Sequence, residues 1–169
     1  ALTWAPDRPV TALTARWAKP PSRFIEIDGQ PVHFRDEGPH DDPIPVVLIH
    51  GMSASLHTWE GWVTALKAQH RVITMDLPGC GLTGPGRTGD YSIANDTRFT
   101  LRLLDALGVQ RFVVGGNSLG GDVAWHVALA APLVPPAVEA LPDDCLWRAA
   151  VRGLRLPRAG RRERPHHPE

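Results

Sequence analysis

Hydrophobic and polar positions change period several times along the chain, and each change marks an element. Residues 23–27 (Arg-Phe-Ile-Glu-Ile) and 31–35 (Pro-Val-His-Phe-Arg) alternate in polarity around Asp28-Gly29, the strongest short-range signal for a two-residue hairpin. Residues 45–50 and 71–76 are instead apolar runs, the pattern of strands buried on both faces. Between them, residues 59–69 predict a helix. Farther on, Ile93, Phe99, Leu101, Leu103, Leu104 and Leu107 recur at helical spacing, and Gly108 supplies the stop. Residues 112–114 predict another strand, and residues 122–131 a helix of good formers with no internal breaker. The order is ββ, then β, α, β, α, β, α. It predicts an α/β fold whose sheet is mostly parallel with an antiparallel N-terminal hairpin, and whose helices cover both faces.

The two ends break this pattern. Residues 1–22 carry Trp4, Trp17 and four prolines, an irregular arm around one short helical turn near residues 10–18. Beyond Ala131 there are seven prolines and seven arginines, with no lysine and no strand-like run. Residues 147–156 have the composition of a short basic helix, and residues 158–169 that of a disordered segment. The domain reading is therefore an arm over 1–22, a partial α/β domain over 23–131, and an aberrant basic tail over 132–169. A bias toward Arg, Pro, Ala and Gly is what GC-rich coding sequence read out of frame would give, and the nucleotides downstream of the codon for Pro132 decide that point.

Composition narrows the function classes. The 169 residues are 43% hydrophobic, enough for one ordinary core. Lys plus Arg and Asp plus Glu both number 18, so no net field favours nucleic acid or an anionic membrane, and a small-molecule substrate is the expected partner. Cys80 and Cys145 are too few for a disulfide framework, and no Cys/His spacing suits zinc. No metal and no cofactor are expected. No apolar run approaches the roughly 20 residues of a membrane span.

The chemistry concentrates at Gly116-Asn117-Ser118-Leu119-Gly120-Gly121, between the strand at 112–114 and the helix at 122–131. A serine hydroxyl is a weak nucleophile at neutral pH, so it needs exposure, a base and donors for the developing oxyanion. A sharp strand-to-helix turn exposes the residue at its apex, and glycines two before and two after allow strand and helix to approach closely. Gly116 and Gly120 occupy those places, and Leu119 can aim its backbone N–H from a helix N-terminus. His50-Gly51-Met52-Ser53 ends the first buried strand, where the Met52 N–H would be the second oxyanion donor. His50 reads as a hydrogen-bonded turn organiser, Trp59 as packing beneath that loop, and Asp76 as structural.

Taken together, His-Gly after the third strand, Asp-Leu-Pro-Gly-x-Gly over 76–81 and Gly-Asn-Ser-Leu-Gly-Gly over 116–121 make the chain resemble the α/β-hydrolase superfamily from about Phe24 to Pro132. The resemblance implies the N-terminal half of that fold, in its serine-nucleophile branch. It implies a hydrolase acting on an ester or related carbonyl substrate, with Ser118 as nucleophile and the Met52 and Leu119 amides as oxyanion donors. Relatives with an aspartate nucleophile do not fit a serine at 118. Some members carry an anchor before a similar arm, so the compartment stays open between the cytoplasm and a membrane reached through a segment upstream of Ala1.

The family takes its acid and its histidine from later strands, which have no counterpart in this sequence. His126 lies two helical turns beyond Ser118, about 12 Å along the helix axis, too far to serve as base. Losing the base of such a triad costs on the order of 10⁶ in turnover and leaves roughly 10³ to 10⁴ over water. Impaired activity is therefore the expectation. The alternative is a non-catalytic fragment that acts as an interaction module, self-associating through the sheet edge that the strand at 112–114 leaves open.

Overall fold

The computed structural model describes residues 8–131. Expectations for the tail over 132–169 and for residues 1–7 of the arm lie outside it. The elements are α1 (Val10–Trp17), β1 (Arg23–Ile27), β2 (Gln30–Glu37), β3 (Val46–Ile49), a 3₁₀ turn (Leu56–Trp59), α2 (Glu60–Leu66), β4 (Val72–Met75), α3 (Ile93–Ala106), β5 (Val113–Gly116) and α4 (Leu119–Ala130). The strands form one mixed sheet in the order β1-β2-β4-β3-β5. This is the α/β architecture read from the sequence, with β1, β2 and β4 joined antiparallel and β4, β3 and β5 parallel.

The hairpin closes where Ile27 pairs with Gln30, leaving Asp28 and Gly29 as the two loop residues. Both have positive φ, 52° and 77°, the left-handed pair whose twist matches that of the flanking strands. Asp28 tolerates that region because its short polar side chain can bond locally, and Gly29 adopts it at no steric cost.

Alternation within the buried strands sends successive side chains to opposite faces. Val47, Ile49, Ile73 and Val114 point to one face, where they pack with Leu104 of α3 and Val123, Ala124 and Val127 of α4. Val46, Leu48 and Val72 point to the other, against Trp59 and Val63. A third cluster joins Ile27, Val32, Phe34 and Met75 to Phe99 and Leu103 of α3, so helices cover both faces. Trp59, expected beneath the loop after β3, is 1% exposed and fills the face covered by α2.

Two helices begin elsewhere than the sequence reading places them. The helix expected over 59–69 begins as a 3₁₀ turn at Leu56, becomes α-helical at Glu60 and ends at Leu66. Its entry is fixed by a tertiary bond, because the Leu56 N–H donates to a carboxylate oxygen of Asp76. The helix expected from 122 starts at Leu119, because the preceding turn, and not residue propensity, sets its first residue. α3 matches its expected span to within one residue. Ser92 caps it by accepting from the Asn95 N–H.

Asp96 sits in the first turn of α3, 3% exposed, with Oδ1 lacking a hydrogen-bond partner among the described residues. Burial, reinforced by the charge on Asp90, pushes its carboxyl up to about 6. A folded-state value raised above the usual one gives stability that is complete below about pH 4 and is lost as pH rises toward about 6. Asp96→Asn removes the penalty of the buried charge. Its Tm should therefore exceed that of the parent chain above pH 6 and converge with it near pH 4, as measured by thermal melts across pH; an offset independent of pH would contradict this account.

Candidate active site

β3 and β5 run parallel with Ile49 opposite Gly116, and the Asn117 N–H extends the ladder by donating to the Ile49 carbonyl at 3.1 Å. Both chains therefore leave the sheet at the same level. His50-Gly51-Met52 departs from one strand, and Asn117-Ser118-Leu119 from the other. A Cβ on Gly51 would lie 3.0 Å from the Asn117 carbonyl oxygen and 3.3 Å from the Ser118 Cβ, so the two loops are in contact.

Ser118 has φ 52° and ψ −121°, a conformation that costs a non-glycine residue about 1–3 kcal/mol. Its side chain is exposed and makes no capping bond to α4. The surrounding glycines make the conformation attainable. A Cβ at Gly116 would overlap the Gly120 carbonyl, and one at Gly120 would overlap the carbonyls of Ile49 and His50. Gly121 is less constrained, since its Cβ would lie 3.3 Å from the Gly116 oxygen. Among the described residues, no acceptor takes the N–H of Met52 or Leu119. The Met52 side chain is 71% exposed.

His50, fully buried, is held at both ring nitrogens. Nδ1 donates to the Gly51 carbonyl at 2.7 Å, and Nε2 accepts from the Leu77 N–H at 3.1 Å. A carbonyl can only accept and an N–H can only donate, so the tautomer is fixed and the ring serves as a loop organiser. Asp76 has the structural role expected of it. Oδ1 accepts from the Leu56 N–H at 2.7 Å, and Oδ2 accepts from the Leu82 N–H at 2.8 Å and from Nδ1 of the buried His33 at 2.7 Å. Desolvation raises its pKa, but these three hydrogen bonds outweigh burial and hold it below the usual carboxylate range.

His33 is the partner that sequence reasoning missed. The only signal was a polar residue on a strand's inner face, with its acid 43 positions away. The other described histidines are also engaged: His57 with Arg35 and Ser55, His70 with Asp42, His40 beside Asp36, and His126 with its own helix carbonyl at Asp122. Among the described residues, no histidine is hydrogen-bonded to Ser118. Cys80 is a free thiol whose pKa is raised by burial and by the carboxylates of Asp76 and Asp96, unfavourable to a thiolate nucleophile. Among the described residues, no group of three His, Cys, Asp or Glu could hold a metal ion, and no helix is long and apolar enough to cross a membrane.

Comparison with known proteins gives a match to the family model for the alpha/beta hydrolase fold over residues 44–141. The magnesium-chelatase 30 kDa subunit of Rhodobacter capsulatus is 38% identical over 101 residues, which cover 58% of this chain and 34% of that protein. Epoxide hydrolase 2 of Caenorhabditis elegans is 24% identical over 108 residues, covering 63% of this chain and 30% of that protein. Among solved structures, the epoxide hydrolase VrEH1 from Vigna radiata superimposes with a TM-score of 0.58 at 28% identity, covering 66% of this chain and 36% of that one. The chain thus spans about a third of the length of the relatives it matches.

Three variants test this geometry. Gly120→Ala should abolish soluble, cooperatively folding protein or lower its Tm sharply, because a new Cβ meets rigid backbone on β3. Gly121→Ala should cost less than about 1 kcal/mol in a denaturant titration, and equal effects of the two would refute the close approach. Asp76→Asn should destabilise the fold at neutral pH by about 2 kcal/mol or more. Because the folded pKa of Asp76 is depressed, its contribution is present above about pH 4 and lost as pH falls. The gap between variant and parent should therefore narrow in acid.

Proposed function

The chain belongs to the alpha/beta hydrolase family, and from that membership we propose that it carries the nucleophile and oxyanion half of a serine hydrolase site for an ester or related carbonyl substrate. The observation that carries this reading is the exposed Ser118 at an apex with φ 52° and ψ −121°, beside two backbone N–H groups that no described acceptor takes. In this role, the Ser118 Oγ attacks the carbonyl carbon, the carbonyl π pair moves to oxygen, and the N–H groups of Met52 and Leu119 receive that oxyanion. The hydroxyl proton must pass to a base. The six described histidines all have other partners, which supports weak activity for the chain as given.

A second reading has its own observation. Among the described residues, β5 pairs only with β3, and its outer row of backbone groups could take a strand from another copy, making the chain an interaction module.

Fluorophosphonate labelling beside a p-nitrophenyl butyrate assay tests the proposal. Slow covalent labelling is expected, mapped by mass spectrometry to Ser118 and lost in Ser118→Ala, with turnover reduced on the order of 10⁶ relative to a complete triad. Folded protein that neither labels nor turns over would favour the interaction reading. Rapid turnover abolished by Ser118→Ala would show that a base does reach the serine, and labelling undiminished in Ser118→Ala would remove Ser118 from the role.

A further inference from the structure

The direction of the Met52 N–H is set one residue earlier. A peptide unit is planar, and in the trans form its C=O and N–H point to opposite sides. The Gly51–Met52 unit is trans, so whatever holds the Gly51 carbonyl also aims the Met52 N–H. Two donors hold that carbonyl: the Nδ1–H of His50 at 2.7 Å and the Ala54 N–H at 3.3 Å. The Ala54 bond closes a turn with Met52 and Ser53 at its centre, and Ser53 has φ 57°. Positive φ at the third turn position favours glycine, so a serine there strains the turn and leaves it a weak clamp on its own. The short bond from His50 is the stronger hold. Because the ring is fully buried, it draws the carbonyl inward and turns the Met52 N–H away from itself.

The ring is anchored in turn. Its Nε2 accepts from the Leu77 N–H at 3.1 Å, and Leu77 is buried in one cluster with Ile49, Val114, Val123 and Val127. That cluster also holds the strand and the helix on either side of Ser118. A line of rigid contacts therefore runs from the core through the Leu77 backbone and the His50 ring to the Gly51 carbonyl, and across the peptide plane to the Met52 N–H.

An oxyanion donor works only when it meets the place where charge will develop, and a rotated peptide loses that fit. We propose that His50 is a positioning residue whose Nδ1–H bond to the Gly51 carbonyl aims the Met52 N–H at the oxyanion. This role rests on the reading of Ser118 as nucleophile and Met52 as donor. It requires no contact between His50 and substrate and no proton transfer by the ring.

Two substitutions separate aiming from packing. Asn places a side-chain N–H where Nδ1 stands and cannot reach Leu77, whereas Gln places an acceptor where Nε2 stands and leaves the Gly51 carbonyl without its donor. Each loses one bond of the ring, so both should lower Tm. His50→Gln alone should change the N–H residual dipolar coupling of Met52 in weakly aligned, ¹⁵N-labelled full chain. It should also lower the maximal rate of fluorophosphonate labelling at Ser118 by on the order of tenfold or more, with the half-saturating probe concentration unchanged. His50→Asn should restore both readouts toward the parent. A folded His50→Gln chain whose Met52 coupling matches the parent would overturn the proposal, as would equal losses of labelling in the two variants. Should His50→Gln fail to fold, the ¹⁵N shifts of the His50 ring in the parent chain decide: Nδ1 protonated supports the hold on Gly51, and Nε2 protonated overturns it. A parent chain that never labels, with the coupling still moved by His50→Gln, supports the hold of His50 on the amide and overturns the nucleophile reading instead, so the two failures are distinct.

Discussion

Where β5 turns into α4, the backbones of Gly116 and Gly120 and the end of β3 share a space too small for one side-chain carbon. The local geometry at this end of the sheet follows from that crossing. It draws the first turn of α4 onto the carbonyls of Ile49 and His50, and it forces Ser118 through a positive φ. It also starts α4 at Leu119, so that the Leu119 amide is an N-terminal donor of the helix with no acceptor among the described residues. The strain at Ser118, about 1–3 kcal/mol, persists because the elements on either side are anchored. Ile49 and Val114 on the strands and Val123 and Val127 on α4 are buried in one cluster, and relaxing the turn would have to disrupt it.

A second constraint holds the loops in place. Asp76 at the end of β4 collects the Leu56 and Leu82 amides and the His33 ring, while His50 bridges its own loop to Leu77. A buried carboxylate is tolerable only because its hydrogen bonds replace water. That network ties β2 to the segments after β3 and β4, and it uses histidines as frame. The polar groups that fix the loops are thus separate from the groups that would do chemistry, and Ser118 can stand exposed without weakening the frame.

The two edges of the sheet differ in how they are finished. β1 is a short antiparallel edge that carries Arg23 and Glu26, both exposed, and charged side chains on an edge discourage pairing. β5, Val-Val-Gly-Gly, carries no charge, and the neighbouring α4 exposes Trp125 and Leu129. The two edge strands therefore differ in charge, and among the described residues β5 pairs on one side only.

How far this was readable depended on distance along the chain. The hairpin at Asp28-Gly29, the apolar runs of β3 and β4, the amphipathic run of α3 and the glycine spacing around Ser118 are all local patterns. Burial of a strand or helix face imposes a period on neighbouring residues, and a required backbone conformation restricts a position to glycine; both leave marks within a few residues. The family motifs at 76–81 and 116–121 were legible for the same reason. Tertiary structure decided the rest. α2 begins with a 3₁₀ turn because its first amide is claimed by Asp76, 20 positions away. α4 begins three residues before its expected start because the crossing at Gly120 fixes it. His33 finds its acid 43 positions along, and it lies between the rings of Phe24 and His57, which come from different segments. Such pairings depend on which strands become neighbours, and the order β1-β2-β4-β3-β5 departs from chain order, so spacing along the sequence could not specify them.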